Sequence, residues 1–152
     1  MIKFIVLLIL FFFDFISKKI IFNLVELNSF IEIFPIMELT HIHNFGISFG
    51  LFSGILDAKF IVFIGIIVTI FLFIMMLKTS NNYEKWALVL ILTGAISNIV
   101  DRAVNNYVLD FIFLHYKDFY WPAFNLADIY ISLGILIIIY KFVKEIIIKK
   151  IK

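Results

Sequence analysis

No cysteine occurs anywhere in the chain. That excludes disulfides, thiolate metal sites and a cysteine nucleophile. Excess charge is also scarce: the formal net charge is +2. This is too small to imply a nucleic-acid partner, and most lysines are terminal. There is no internal repeat and no low-complexity linker, so residues 1–152 read as a single domain. Nor does the N-terminus read as a cleavable leader. The N-terminal apolar run extends to Phe22, is interrupted by Asp14, and lacks a small-residue cleavage site. It therefore reads as a retained anchor. What the chain has in abundance is apolar residues, 64% of 152, with a mean hydropathy of +1.12. One small core cannot hide that fraction, and the composition implies an integral membrane protein.

A bilayer-spanning helix needs about 20 predominantly apolar residues. Four runs meet that requirement, at about 4–22, 60–77, 86–103 and 127–143. The backbone of each must satisfy its own hydrogen bonds in lipid, so each is expected to be a helix. The expected fold is an all-α membrane protein with four transmembrane helices and a small extracytoplasmic β-containing region. The β character comes from "ELTHIHNFGISFG" within the long connection 23–59, β-prone at first and then broken by glycine. The connection 104–126 carries Tyr107, Tyr116, Tyr120 and Trp121, rings suited to the water–lipid interface. Lys3, Lys78, Lys85 and the tail lysines collect on one side, which places both termini in the cytoplasm. Lys18 and Lys19 sit at the opposite end of the first run and count against that orientation.

Polar residues cluster within this apolar setting. In "GAISNIVDRAVNN", Gly94, Ser97, Asn98 and Asp101 recur at three- and four-residue steps and share one helix face. Small and polar residues on such a face serve helix packing. That covers Gly94 and Ser97 but not Asp101, since an acid near the membrane needs a partner or a function. Arg102 is one candidate partner. In "FNLADIYISLG", Asn125 is a good N-cap and Asp128 lies three positions later, in the first turn. Capping explains it, but this helix end faces the same side of the membrane as Asp101. Paired carboxylates there suit general acid/base activation of water. The helix dipoles then divide the labour, with Asp128 at a positive end as initial base and Asp101 at a negative end as initial acid. Asp14 and Lys18 are four apart and pair along the first helix. A Ser17–Lys18 dyad is disfavoured, because adjacent helical residues point in different directions. His41 and His43 would share a strand face, and with His115 they offer a metal set that ranks below plain loop polarity.

Five stretches together resemble the lipoprotein signal peptidase family, also called signal peptidase II. They are "DFISK" (14–18), "HNFGISFG" (43–50), "GAISNIVDR" (94–102), "VLDF" (108–111) and "FNLAD" (124–128). Each is short, but all five occur in the family's order. Ile47 departs from the pattern, standing where the family usually has a small residue. The Asp-Thr/Ser-Gly motif of soluble aspartic proteases and the Gly-x-Gly-Asp pattern of intramembrane aspartyl proteases are both absent.

The resemblance implies an aspartic endopeptidase of the bacterial cytoplasmic (inner) membrane, multi-pass, with its active site near the extracytoplasmic face. Its partners would be membrane lipids and prolipoproteins whose cysteine carries a diacylglyceryl group, cut just before that cysteine. The catalytic pair would be Asp101 and Asp128 around a water, with no metal or cofactor. Asn98 and Asn125 would orient the pair, and Arg102 would neutralise charge or hold a carbonyl. Asn44 and Gly46 would shape the groove. Asp110 would brace the outer loop against Arg102, and Asp14 and Lys18 would support the architecture. Two other classes fit the composition: a small proton- or ion-coupled carrier, and a structural subunit of a membrane complex. A carrier places its acids near the midplane, whereas both aspartates here lie at span ends. A structural subunit would tolerate Asp→Asn at both.

Overall fold

The computed structural model describes residues 2–47 and 51–151. Phe49, which ends the Asn-x-Gly-x-x-Phe stretch, and Lys152 lie outside the described residues. Four helices form: α1 (Ile2–Leu24), α2 (Ala58–Lys78), α3 (Asn82–Asn105) and α4 (Leu126–Ile151). Each expected span falls inside one of them. By length and apolar composition two of the helices, α2 and α3, qualify as membrane-crossing. α1 carries Asp14, Lys18 and Lys19 within its run, and α4 has Asp128 in its first turn and lysines toward its far end. The expectation of four crossings is therefore matched by hydropathy alone for two.

Local chemistry sets the helix ends. Asp57 caps α2 by accepting from Lys59 N at 2.7 Å. Asn81 caps α3 by accepting from Tyr83 N and Glu84 N. At the other end of α3, Asn106 takes a left-handed conformation (φ 66°) and donates its N–H to Arg102 O, the stop that asparagine tolerates best after glycine. α3 is the centre of the bundle. Half of its most apolar stretch is buried, against 6% for α2. α2 buries little beyond Ile61 and presents Phe63, Ile67, Ile70 and Phe71 outward, a surface only lipid would solvate.

Glycine brings α3 and α4 unusually close. A Cβ on Gly94 would stand 2.2 Å from Ala127 O, and one on Gly134 would stand 2.6 Å from Ala87 O. The two glycines sit toward opposite ends of the antiparallel contact, so both ends close tightly. Gly94→Val should separate the helices where the site lies, with a cost at or above the 1–3 kcal/mol typical of overpacking, since backbone rather than a side chain must move. Thermal unfolding in detergent checks this; an unchanged midpoint would contradict the close approach.

The β region is larger than the sequence implied. β1 (Phe30–Phe34), β2 (Met37–Asn44), β3 (Val108–Tyr116) and β4 (Phe119–Tyr120) form an antiparallel sheet in chain order. The two long connections thus meet as one sheet through the β2–β3 pairing. An extra residue in β2 between Leu39 and Ile42 makes a bulge. Leu109, Phe111 and Ile112 of the sheet cluster with Ile21 and Val25 at the end of α1.

Candidate active site

Two polar clusters meet where α1, α3, α4 and the sheet converge. The first is centred on Lys18, whose side chain is 5% exposed. Its Nζ lies 2.7 Å from Asp14 Oδ2 and 3.0 Å from Asp101 Oδ2. It also donates to Asn98 Oδ1 at 3.1 Å. Asp14 is fully buried. It accepts from Ser97 Oγ at 2.6 Å and from Ala127 N at 2.9 Å. One carboxylate therefore joins α1 to α3 and lies on the N-terminal N–H groups of α4, where negative charge is favoured. The expected Asp14–Lys18 pairing is present, but its reach is greater than local support of one helix. Lys18 is an interior cation, which explains why it breaks the pattern of lysines at the opposite end. Ser17 turns away and donates to Phe13 O at 2.7 Å, so no Ser17–Lys18 dyad exists.

The second cluster surrounds Asn125. Asp128 N donates to Asn125 Oδ1 at 3.0 Å, and Asn125 N donates back to Asp128 Oδ2 at 3.2 Å. This is the reciprocal capping arrangement expected from the spacing. The Asn125 side chain has a second partner: its Nδ2 donates to Asp110 Oδ1 at 2.6 Å. Backbone pairing fixes that contact. Phe124 bridges to Ile112 of β3, with Ile112 N to Phe124 O at 2.8 Å and Phe124 N to Ile112 O at 3.0 Å. The next residue, Asn125, is thereby held beside Asp110, two positions back along β3. From the other side Asn44 Nδ2 donates to Asp110 Oδ2 at 2.9 Å, and Asn44 Oδ1 accepts from Gly46 N.

Asp110 is 3% exposed. Burial pushes its carboxyl up, and the nearby Asp128 charge pushes it further, to about 7 against the amide hydrogen bonds from Asn44 and Asn125. The two clusters join at Asn98, whose Nδ2 donates to Asp128 Oδ1 at 2.9 Å.

Asp101 reaches Asp128 through Lys18 and Asn98, and its carboxylate faces a buried ammonium. Asp128 shares Asn125 with Asp110 instead. Asp110 lies within electrostatic reach of Arg102. Asp110 braces Asn44 and Asn125, while Arg102, itself buried, donates to Gly46 O. Arg102 and Asn44 thus both hold the Asn44–Gly46 turn. Sequence reasoning missed the centrality of Asp110, yet a signal was present: "VLDFIFL" is an apolar strand with a single acid in it. An acid there is as costly as Asp101 in its helix.

An apolar pocket of about 240 Å³ opens beside Lys18 and Asp101, lined by Phe15, Phe22, Val104, Tyr107 and Leu109. Ile47 lies elsewhere, on a groove of about 340 Å³ between α2 and α3. His115 stands beside Glu38, 3.4 Å away, not with His41 and His43. Among the described residues no three histidine, aspartate or glutamate side chains are grouped to hold a metal ion.

Comparison with known proteins matches nearly the whole chain. The family model described as signal peptidase (SPase) II matches residues 6–144. The lipoprotein signal peptidase of Thermodesulfovibrio yellowstonii is 38% identical over 132 residues, covering 87% of this chain and 88% of that one. That of Pelagibacter ubique is 38% identical over 140 residues, covering 89% and 83%. A solved structure described as a bacterial membrane enzyme superposes with a TM-score of 0.87 at 28% identity, covering 94% of this chain and 88% of the other. The match takes in α1, α3, α4 and the sheet alike, every element that contributes a side chain to the two clusters, and on that ground the chain belongs to the signal peptidase II family.

Proposed function

We propose that this chain is an aspartic endopeptidase of the bacterial inner membrane. It removes signal peptides from prolipoproteins whose cysteine carries a diacylglyceryl group, cutting just before that cysteine. All four helices cross the bilayer, both termini are cytoplasmic, and the site opens near the outer face. The observation that carries the reading is the pair of carboxylates Asp110, buried, and Asp128, half-buried, which share Asn125 at the head of α4. Family membership favours a peptidase over a carrier.

The catalytic pair in this proposal is Asp110 with Asp128, in place of Asp101 with Asp128. Two close carboxylates largely shielded from water resist double ionisation and hold one proton between them. Asp128 stands in the first turn of α4, where the helix dipole and the Asn125 N–H favour its charge. It acts as the base that takes a proton from the attacking water. Asp110, held protonated up to about 7, donates to the carbonyl oxygen of the scissile bond. Collapse of the tetrahedral intermediate then returns a proton to the leaving amine. Water and the two acids suffice, so no metal or cofactor is required. Asp101 keeps Lys18 in place, and Asn98 carries that order to Asp128.

The substrate's acyl chains would lie against the pocket wall of Phe15, Phe22 and Leu109, each buried CH₂ contributing about 0.8 kcal/mol. Purified enzyme given matched precursors with and without the diacylglyceryl group tests this. The modified precursor should be cut far faster at equal concentration. Equal rates would remove the lipid from the account.

A further inference from the structure

The reaction proposed above leaves the histidine pair on β2 without a role. His41 lies in the bulge and is turned inward, 5% exposed. Its Nδ1 lies 2.9 Å from Val25 O at the end of α1. A carbonyl only accepts, so Nδ1 carries the proton and Nε2 keeps its lone pair. That Nε2 accepts from Nε2 of His43 at 3.1 Å, so ion binding requires the His43 tautomer protonated on Nδ1, which frees its Nε2 lone pair. The His43 ring is fixed as well, stacked on Tyr107 at 3.6 Å between centroids and 14° between planes.

Two imidazole nitrogens this far apart, each about 2.0–2.1 Å from a common ion, would subtend about 100° at it. That falls between the square-planar and tetrahedral values. A carbonyl on the far nitrogen is the contact that orients metal-bound histidines. His115 supplies no third ligand, because it stands beside Glu38. Two imidazoles completed by water suit Cu²⁺, which takes tetragonal N and O sets and heads the divalent affinity order. Zn²⁺ prefers three or four protein ligands and should bind less tightly.

We propose that His41 and His43 form a two-histidine site for a divalent late transition-metal ion, with Cu²⁺ bound most tightly. The ion would tie β2 to the end of α1 through the His41–Val25 contact. The inference does not rest on the peptidase reading.

The test titrates purified full-length protein in detergent with Cu²⁺, followed by electron paramagnetic resonance and by thermal unfolding. One equivalent should bind with coupling to two nitrogens, and the unfolding midpoint should rise with added ion. His43→Phe keeps the stack on Tyr107 and removes a ligand; it should weaken binding about tenfold or more, at least the cost of losing an orienting partner. Its midpoint in chelator reports whether it is folded. His115→Gln should bind as the unaltered protein does. The proposal is overturned if the unaltered protein binds no more tightly than folded His43→Phe, or if His115→Gln abolishes binding.

Discussion

Asp110→Asn and Asp128→Asn should each reduce turnover by about three orders of magnitude or more while leaving the protein folded. Each removes one partner in proton transfer, a contribution of about 10²–10⁴, and residues acting as a unit fail together. The pH dependence adds a sign. With Asp110 at about 7, the singly protonated pair persists below that value, so kcat/KM should fall as pH rises through about 7. Stability follows the same direction. The folded state binds more protons than an unfolded Asp, which titrates at about 3.9, so the group's stabilising contribution is lost as pH rises from there to about 7. Asp110→Asn has no charge to bury and should lose that slope. Its inactivity above pH 7 would then accompany unfolding no easier than that of the unaltered protein. Measured kcat/KM and unfolding midpoints across pH 5–9 separate the two effects. Substantial turnover by either variant would remove the pair.

Lys18→Met should have the largest effect on stability. Lys18 is the buried cation between Asp14 and Asp101. Methionine fills the volume but leaves two carboxylates facing each other without a counter-charge, a loss of about 3–5 kcal/mol. The same residue makes a second prediction about coupling. Adding Asp101→Asn to Lys18→Met removes one of the stranded charges and should recover part of the stability, a non-additivity of about 0.5–3 kcal/mol. Unfolding in detergent measures both. A Lys18→Met protein that melts with the unaltered one would show that the ammonium is not the hub.

The helices were legible in the sequence because lipid leaves a chain little choice: an apolar run of sufficient length closes its own hydrogen bonds. The Asn125–Asp128 cap was legible because a capping box is local. β1, β3 and β4 were not anticipated. In "VLDFIFLHY" only Tyr116 reads as an interfacial ring, and strand pairing between residues 37–44 and 108–114 joins segments about 70 positions apart. Asp101 was assigned to chemistry on the cost of its setting. That cost is offset by Lys18, 83 positions away in sequence, a contact no spacing rule reaches. Asp110 has the same kind of cost, and its hydrogen bonds come from the amides of Asn44 and Asn125, so the proposed mechanism gives it the acid's role. The capping position of Asp128 was correctly read, and its assignment as base in the proposed mechanism is unchanged; its partner is the part that differs.

The most direct measurement of the proposed pair is isotope-edited infrared titration of the resting enzyme, following the carboxylic-acid C=O band. A band from one protonated aspartate should persist to neutral pH and disappear with a midpoint of about 7. It should be absent from Asp110→Asn and present in Asp101→Asn. A band that survives in Asp110→Asn and vanishes in Asp101→Asn would contradict the account and return the proton to Asp101.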